Sequence, residues 1–246
     1  MSLIEQGQLV EGRAILSRLL TDRGVGLDPR DAEAVRQTLT SVNEQMVFSP
    51  KVTPGDPLVE VHVIQSGDIL IRLAPPYSIT PELLRRINGV DPQRLFVGQK
   101  LKAIKGPFHA VIDNREFRMD LFLDGPQGRV YVRSFPVGLG REGSTPVGTW
   151  VVKTNGKLVN PGWTNPETNQ YFAPDDPQNP IGERWIGLEG TSPATQGKTG
   201  YGIHGTIQPE SIGRQMSLGC IRMRPQDVEV VYDLMVEGKS TVEVRP

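Results

Sequence analysis

An alternating apolar pattern between residues 109 and 140 constrains the fold of this chain more than any other sequence feature. Apolar side chains recur there at every second position, the period at which a β-strand presents one face to a core. These residues are Phe117, Met119, Leu121 and Leu123. Turn signals at 113–114 and 125–128 divide the segment into three strands. The 27 glycines and 21 prolines of the chain also favour turns and β-structure. We therefore predict a mainly β domain over residues 106–246.

The rest of this β domain reads as further strands, one helix and one long loop. Strands are predicted at 145–154, 183–190, 200–206 and 241–245, and a helix at 225–236. The Pro/Asn-rich stretch 155–182 is too long and too aromatic for a passive connection, and such loops are usually lids or binding loops. Its aromatic residues either cap a site or anchor the loop. They are Trp163, Tyr171 and Phe172.

The N-terminal region, residues 1–47, is predicted to form a helical hairpin. Apolar residues recur at helical spacing in two segments, 3–20 and 29–47. Asp28 is a candidate N-cap of the second helix, with Pro29 at its first position. The prolines of segment 48–59 indicate a linker. No second copy of this hairpin recurs at a fixed period, so we expect it to pack either on a neighbouring part of the chain or on sequence upstream of it.

Residues 60–105 are predicted to form a small βααβ module. Thr80 is a candidate N-cap, Pro81 follows at the first helical position, and Asn88-Gly89 marks the end of the helix. His62 alternates with two valines on the first strand, so we expect its side chain to be exposed to solvent. The second histidine, His109, is expected to be a strand residue and not a ligand.

Charge and cysteine content exclude several function classes. The formal net charge is −1, and no dense basic stripe suited to nucleic acid is present. The single cysteine excludes an internal disulfide and a cysteine-based zinc cluster. We predict no metal and no cofactor. No apolar run reaches membrane-spanning length, and no signal peptide is visible. The protein is therefore either cytoplasmic or exported by a segment that precedes this sequence.

Cys220 lies in the segment SLGC, directly after a glycine on a predicted turn. His204 stands sixteen residues upstream, at the end of a predicted strand. A thiol of ordinary pKa, about 8.5, is mostly protonated at neutral pH, so a cysteine nucleophile needs a base within hydrogen-bond reach. The spacing permits such a pair without requiring it, and an inert buried thiol is the alternative.

The neighbours of this pair fit further roles in nucleophilic catalysis. A histidine base needs an acceptor for its other ring nitrogen, and the Gly205 carbonyl is the nearest one. Backbone N–H groups around Gly219 and Cys220 are suited to stabilise an oxyanion. If the segment after Cys220 is a strand, Arg222 shares a face with it and is suited to bind a substrate carboxylate. A surface salt bridge is the alternative role for Arg222.

Segment 60–105 resembles a LysM module. The resemblance is carried by Ser66-Gly67-Asp68, Leu70, Ala74, Thr80, Leu83, Asn88 and Val97-Gly98-Gln99-Lys100-Leu101. Members of that family bind glycans that contain N-acetylglucosamine, in a groove between the loop after the first strand and the loop before the second. The resemblance implies sugar binding by Gly67, Asp68, Ile69 and Asn88. Ile69 stands where the family usually has Thr or Ser.

The second half of the chain resembles the YkuD-type L,D-transpeptidase catalytic domain. Residues 203–206 and 217–223 carry the signature IHGT…SLGCIRM, and STPVGTW at 144–150 and NPIGERWIGL at 179–188 match the family in the same order. The match covers about residues 109–245, and it implies a β-sandwich with a helix. Residues 1–57 lie outside both resemblances.

Roles for individual residues follow from this resemblance. It implies Cys220 as the nucleophile, His204 as its base and the Gly205 carbonyl as the group that orients the histidine. Gly219 belongs to the implied oxyanion hole. The implied substrate-binding residues are Arg222, Ser217, Tyr201 and Thr206.

The implied reaction is acyl transfer on peptidoglycan stem peptides, which places the protein in the cell envelope. Cys220 attacks the carbonyl of the third residue of a tetrapeptide donor, D-Ala leaves, and a thioester remains. An amine of a second stem then gives a cross-link between third residues, whereas water as acceptor gives an L,D-carboxypeptidase. A non-catalytic peptidoglycan-binding protein is a further alternative, against which the intact Cys220, His204 and Arg222 argue. A redox sensor would lack a resolving cysteine.

Overall fold

The computed structural model describes residues 3–22, 24 and 26–246, and the chain divides into two compact units. One unit contains the chain up to residue 108 together with 120–134. The other contains 109–119 and 135–246. The division by sequence into segments 1–47, 48–59, 60–105 and 106–246 stays a prediction.

The N-terminal hairpin consists of α1 (Leu9–Thr21) and α2 (Pro29–Met46). The first helix begins six residues later than predicted, because the backbone turns at Gly7 with φ +78°. The second begins as predicted, and the Asp28 carboxylate accepts a hydrogen bond from the Arg30 N–H at 2.8 Å. Residues 1, 2, 23 and 25 of the predicted hairpin lie outside the described residues.

The buried face of α1 differs from the predicted apolar stripe. Its fully buried residues are Gly12, Arg13 and Ser17. Arg13 donates to the Asp56 carboxylate at 2.6 Å, and the Ser17 hydroxyl accepts from the Tyr131 N–H at 3.1 Å. The hairpin therefore packs on its own unit through buried polar bonds, as expected of a hairpin without repeats.

The module that follows has the predicted βααβ order. It contains β1 (Val59–Val63), α3 (Leu70–Leu73), a 3₁₀ turn (Pro75–Tyr77), α4 (Pro81–Asn88) and β2 (Lys100–Ile104), and its two strands pair antiparallel. The Thr80 hydroxyl accepts from the Leu83 N–H at 3.0 Å, and Gly89 ends the helix in the left-handed region at φ +59°.

The prediction that His62 is solvent-exposed is wrong. Its Nε2 lies 2.9 Å from the Asp68 carboxylate, and its side chain is 25% exposed. The valines on either side, Val61 and Val63, are exposed. The hydrogen bond with Asp68 holds the histidine half-buried, whereas the two valines are exposed.

Lys102 of β2 joins this module to the end of α2. Its side chain is 2% exposed. The ammonium donates to three backbone carbonyls, those of Met46 at 2.7 Å, Ser49 at 2.9 Å and Lys51 at 2.8 Å. A cation at a helix C-terminus is favourable because the last carbonyls of the helix have no partner within it. Lys102 therefore fixes the predicted linker against the module.

The remaining elements confirm a mainly β fold. They are β3 (Phe108–Asp113), β4 (Arg118–Gly125), β5 (Gly128–Pro136), β6 (Leu139–Gly140), β7 (Gly148–Val159), β8 (Trp163–Thr164), β9 (Tyr171–Phe172), β10 (Arg184–Gly190), β11 (Gly202–His204), β12 (Gln215–Ser217), β13 (Ile221–Arg222), α5 (Pro225–Leu234) and β14 (Thr241–Arg245). As predicted, β3 to β5 contain the alternating segment and its turns, and His109 lies on β3.

The long segment 155–182 is more ordered than predicted. Its first five residues continue β7 to Val159, and β8 and β9 pair within it as a short hairpin. Trp163 stacks on Phe172 across that hairpin, with ring centroids 6.0 Å apart. This packing supports the anchoring role for both aromatic residues.

The second unit is organised around a mixed sheet. Its strands run in the order β13-β11-β10-β7-β14-β3. β11 is parallel to β13 and β14 is parallel to β3, whereas the pairs of β10 with β11, β10 with β7, and β7 with β14 are antiparallel. One sheet face supplies the core; its buried residues include Trp150, Val152, Ile186, Ile203 and Ile221. None of the helices in the described part of the chain is long and apolar enough to cross a membrane.

Candidate active site

Two short parallel strands bring Cys220 and His204 together. In the register of β11 and β13, Ile203 lies opposite Ile221 and His204 lies opposite Arg222. Both isoleucines are buried in the core, so His204 and Arg222 lie on the opposite face of the sheet. Cys220 directly precedes Ile221 and shares that face. The thiol residue is thus a diagonal neighbour of the histidine across adjacent strands.

The ring of His204 is oriented by the next residue in the chain. Its Nδ1 lies 2.6 Å from the carbonyl oxygen of Gly205. A carbonyl can only accept, so Nδ1 carries the proton and Nε2 holds the free lone pair. The arrangement leaves a neutral imidazole with one nitrogen able to take a proton.

A tryptophan covers the histidine ring. Trp185 of β10 lies opposite His204 in the strand register, and the two rings stack with centroids 5.7 Å apart. The histidine is 4% exposed. Burial lowers the pKa of His204 to about 4, and the positive charge of Arg222 adds to the lowering, against the effect of the Gly205 carbonyl. The imidazole is therefore neutral at physiological pH.

The turn before Cys220 is closed by a serine hydroxyl. Ser217 Oγ donates to the Cys220 carbonyl at 2.6 Å and accepts from the Gly219 N–H at 3.1 Å. Gly219 has φ +128°, a conformation that side chains rarely adopt. A Cβ at this position would lie 2.8 Å from the Tyr201 ring. Both the backbone conformation and the nearby Tyr201 ring therefore require a glycine at position 219.

These bonds change two of the expected roles. Ser217 is 2% exposed and its hydroxyl is engaged within the turn, so it positions Cys220 and is not presented to a substrate. The Gly219 N–H is bonded to that hydroxyl, which leaves the Cys220 N–H as the candidate oxyanion donor.

The thiol itself is partly buried and protonated. Its Sγ lies 3.4 Å from the Gly200 carbonyl oxygen, which accepts from the S–H. Burial raises the pKa of Cys220 to about 11, against the lowering by the Gly202 backbone and Arg222. With a neutral histidine beside it, the resting pair is thiol and imidazole. The thiolate–imidazolium pair that a cysteine–histidine site often forms is not the resting state.

The STPVGTW segment and β6, which precedes it, pack against the turn before Cys220. β6 pairs in parallel with β12, which leads into Ser217. The Thr145 hydroxyl accepts from the Gly140 N–H at 2.7 Å, and a Cβ at Gly140 would lie 2.8 Å from the Gly219 Cα. The backbones of Gly140 and Gly219 therefore pass at a distance that only glycines allow.

The NPIGERWIGL segment forms the wall beside the histidine. The Asn179 amide donates to the Pro161 carbonyl at 2.9 Å, which holds the start of the segment. Gly182 has φ +64°, and a Cβ there would lie 3.4 Å from the Gly205 Cα. Three residues later, Trp185 stacks on His204. This motif therefore places the ring and backbone that enclose His204 and Gly205.

Arg222, another predicted substrate-binding residue, has guanidinium N–H groups that could still donate hydrogen bonds to a substrate. One guanidinium nitrogen, Nη1, donates to Gln208 at 3.2 Å, and the buried Nε has no partner within the described residues. Burial lowers the pKa of Arg222, although it stays cationic. It lies on the face of Cys220, as predicted.

Thr206 and Tyr201 contribute structure around the pair. Thr206 is 2% exposed, and its hydroxyl accepts from the Gln208 N–H at 3.0 Å. Tyr201 packs on Trp150, with ring centroids 5.3 Å apart. Both border the site, and their contact with substrate stays a prediction.

The predicted sugar-binding residues lie in the LysM-like module, within the first unit. Gly67 forms the exposed turn after β1 with φ +87°, and Ile69 is 43% exposed beside it. The Asp68 carboxylate accepts from the Gln65 N–H at 2.9 Å and pairs with His62. Hydrogen bonds from the neighbouring groups lower the pKa of Asp68, that of His62 most.

Asn88 is used inside the module. Its amide nitrogen donates to the carbonyls of Leu84 at 2.9 Å and Lys102 at 2.8 Å, and its oxygen accepts from the Lys102 N–H at 2.8 Å. These bonds tie α4 to β2. A sugar contact by Asn88 stays a prediction, with one acceptor lone pair left for it.

Within the residues that the structure describes, no group of three or more His, Cys, Asp and Glu side chains forms a metal site.

Comparison with known families assigns both parts of the chain. Residues 107–244 match the L,D-transpeptidase catalytic domain family, called YkuD, and residues 62–103 match the LysM domain family. The first match covers more than half of the chain.

Comparison with individual proteins gives relatives of moderate identity. YkuD of Bacillus licheniformis is 27% identical over 195 residues, which are 76% of this chain and 99% of that protein. YqjB of Bacillus subtilis is 31% identical over 136 residues, 55% of this chain and 70% of that protein. ErfK/SrfK of Escherichia coli is 30% identical over 158 residues, 60% of this chain and 46% of that protein. All three carry L,D-transpeptidase in their names.

Among solved structures, an L,D-transpeptidase from Mycobacterium smegmatis matches 61% of this chain and 65% of its own, with 18% identity and a TM-score of 0.41.

Proposed function

The chain belongs to the YkuD family of L,D-transpeptidase catalytic domains and carries a LysM domain, and from this premise we propose that it is a cysteine acyltransferase that forms cross-links between third residues of peptidoglycan stems. The observation that carries the proposal is the pair of Cys220 and His204 on one sheet face, with the Gly205 carbonyl fixing the histidine tautomer.

The first half-reaction is acylation of the thiol. The Cys220 Sγ attacks the carbonyl of the third stem residue while its proton passes to Nε2 of His204. The oxyanion that forms is stabilised by the Cys220 N–H. The carbon–nitrogen bond to D-Ala then breaks, His204 returns the proton to the leaving amine, and a thioester remains on Cys220.

Because the resting pair is neutral, proton transfer has to accompany the attack. A thiol whose pKa is about 11 holds very little thiolate at pH 7, and a histidine whose pKa is about 4 is available as a base. General-base assistance by His204 is therefore required in the acylation step. Arg222, on the same face, is placed to hold a donor carboxylate.

The second half-reaction releases the acyl group. An incoming amine gives its proton to His204 as its nitrogen bonds to the thioester carbon. The carbon–sulfur bond breaks, and His204 returns the proton to the sulfur. Water in place of the amine would give tripeptide stems, the product of an L,D-carboxypeptidase.

The LysM domain is proposed to hold the enzyme on its polymer. The loop at Gly67–Ile69 is exposed and available to a glycan chain that contains N-acetylglucosamine. Binding to the polymer raises the local concentration of stem peptides at the catalytic domain. A peptidoglycan substrate also places the protein in the cell envelope.

Turnover of purified tetrapeptide stems tests this proposal. The purified chain is expected to release D-Ala and to give cross-linked dimers, with a covalent adduct on Cys220 during turnover. Tripeptides without dimers would favour the carboxypeptidase. A protein that binds the polymer but releases no D-Ala would be a non-catalytic binding protein.

A further inference from the structure

A cavity of about 440 Å³ lies in the first unit, against the N-terminal hairpin. Its walls come from one face of α1, from residues 57–58 just before β1, and from the turn between β4 and β5 with the start of β5. All of these segments belong to the unit that contains the LysM domain. Since α1 lies outside both family matches, neither family assigns a role to this space, which we call the α1 cavity.

Most of the residues that line the α1 cavity are apolar. Val10, Ala14 and Ile15 contribute from α1, and Leu58 and Val130 contribute from the other segments. A concave surface of this size, lined mainly by apolar side chains with a few polar groups among them, is typical of a small-molecule site. The lining therefore favours a ligand with an aliphatic body.

The polar part of the lining contains a buried arginine whose donors are not all used. Arg13 lines the cavity and is 2% exposed. Its Nη2 donates to the Asp56 carboxylate at 2.6 Å, whereas Nε and Nη1 have no hydrogen-bond partner within the described residues. Buried polar groups nearly always have a partner, because an unpaired donor loses its hydration without compensation. An acceptor in the adjoining cavity would supply the partner that Arg13 lacks.

The buried charges around Arg13 leave a surplus of positive charge. The Asp56 side chain is fully buried and pairs with Arg13. Burial lowers the pKa of Lys102 to about 8, so this lysine is cationic at neutral pH, and Asp56 and Arg13 act on it in opposite directions. In this part of the described chain, two buried cations therefore share one buried carboxylate. The other charged residues of the lining, Glu11 and Arg18, cancel each other, so an anion is favoured in the cavity.

A carboxylate on an aliphatic chain matches both parts of this lining. Its two oxygens accept hydrogen bonds from a planar guanidinium, and its chain removes apolar side chains from water. We propose that the α1 cavity binds a small aliphatic carboxylate, with Arg13 at the charged end and Val10, Ala14 and Val130 along the chain. The described residues that line the cavity include none of those assigned to catalysis or sugar binding, so this inference is independent of the proposed function.

Calorimetric titration of the full chain with octanoate tests the inference. Octanoate is expected to bind saturably at pH 7. Octan-1-ol has the same chain without the charge, and we expect it to bind about tenfold more weakly, the factor that corresponds to one charge-assisted hydrogen bond. Octylammonium should not bind, because its charge has the same sign as that of Arg13.

A cavity-filling variant locates the site. Ala14→Phe places a ring where the aliphatic chain is expected to lie, and we expect octanoate to bind about tenfold more weakly or not at all. Ala34→Phe is the matched control, because Ala34 is exposed on α2 and does not line the cavity. Its affinity for octanoate should equal that of the wild type. Circular dichroism checks that both variants keep their helices.

A second variant tests the role of the guanidinium. Arg13→Met with Asp56→Asn replaces the buried ion pair by neutral groups, and the asparagine oxygen can still accept from the Leu58 N–H, which now bonds Asp56 at 3.0 Å. This variant is expected to bind octanoate and octan-1-ol with equal affinity. Should it fail to fold, the comparison of Ala14→Phe with Ala34→Phe still decides the location of the site.

The outcomes decide both the site and the class of ligand. A wild-type chain that does not bind octanoate would overturn the inference, and a water that joins Arg13 to the unpartnered Oδ2 of Asp56 would then be the occupant. Equal affinities of the wild type for octanoate and octan-1-ol would overturn the role of Arg13. Octanoate binding that survives in Ala14→Phe, or that is lost equally in a folded Ala34→Phe, would overturn the location.

Discussion

The Nδ1 of His204 lies 2.6 Å from the carbonyl oxygen of Gly205, its neighbour in the chain. This one bond fixes which nitrogen of the ring is protonated, and it leaves Nε2 as the nitrogen that can take a proton. A carboxylate usually plays this orienting part in catalytic triads. A carbonyl has no charge, so it orients the imidazole without stabilising the imidazolium as strongly. Burial lowers the pKa of His204 to about 4, and the bond to Gly205 offsets only part of that lowering.

Replacement of His204 should remove the base and keep the thiol. We expect His204→Gln to lower kcat/KM for a tetrapeptide donor by about 10²- to 10⁴-fold, the range that general-base assistance contributes. D-Ala release measured at matched protein concentration checks this. His62→Gln is the control, since His62 pairs with Asp68 inside the LysM domain and should not alter turnover of a soluble donor. Equal losses in both variants would contradict the assignment of the base.

The pH dependence of Cys220 should show a thiol that is protonated at rest. Because the pKa of Cys220 is raised to about 11, its thiolate fraction increases tenfold per pH unit across the neutral and mildly alkaline range. Iodoacetamide alkylation of the free protein should therefore keep accelerating up to that value. A rate that levels off near the ordinary thiol pKa, about 8.5, would contradict the burial argument.

Turnover should depend on pH in a different way from alkylation. His204 acts as a base only when it is neutral, so activity should be lost as the pH falls through its pKa of about 4 and should be present above it. The thiol needs no prior ionisation when the base assists the attack. We therefore expect kcat/KM for the donor to be nearly flat from pH 6 to pH 9, roughly the interval between the ordinary histidine and thiol pKa values. A rise through this interval that parallels alkylation would indicate attack by a preformed thiolate.

Loss of the Ser217 hydroxyl should misplace the nucleophile. Ser217 closes the turn through the Cys220 carbonyl and the Gly219 N–H, so Ser217→Ala releases both bonds. A displacement on the order of 1 Å at the thiol can cost about 10²-fold in rate, and we expect kcat to fall by about 10- to 100-fold. Ser211→Ala is the matched control, because this buried hydroxyl makes a bond of 2.7 Å to the Gln208 carbonyl away from the turn. Equal kcat values for the two variants would remove Ser217 from its positioning role.

Lys102 should contribute far more to the free energy of unfolding than Lys105, three residues further along the chain. Lys102→Met would leave the carbonyls of Met46, Ser49 and Lys51 without their donor, and we expect a loss of about 3 kcal/mol in the free energy of unfolding by urea. Lys105→Met is the control, since its half-exposed ion pair with Glu60 at 3.8 Å contributes little. Losses of equal size would show that the buried bonds of Lys102 add no stability of their own.

The sequence was most informative where local chemistry decides the structure. Asp28 and Thr80 were expected to cap helices, and both side chains accept the predicted type of backbone bond. The spacing of Cys220 and His204 permitted a pair without requiring one, and the register of β11 and β13 places the two residues on adjacent strands. In each case the residues concerned act within one turn or on neighbouring strands.

The sequence did not predict burial or strand pairing that depends on residues far away in the chain. The burial of Arg13 depends on Asp56, which lies 43 residues away. The short strands β6, β12 and β13 have no alternation of their own and exist only because other backbone segments pair with them. The stacking of Trp185 on His204 joins two segments that lie far apart in the sequence, so the NPIGERWIGL motif alone does not predict it.

If Cys220 carries the acyl group of a peptidoglycan stem, intact-protein mass spectrometry during turnover of a tetrapeptide donor should detect it. We expect a covalent adduct equal to the donor minus D-Ala, mapped to Cys220 by peptide analysis and absent from Cys220→Ala, together with free D-Ala in the same reaction. An unmodified Cys220 while D-Ala is released, or an adduct that persists in Cys220→Ala, would contradict it.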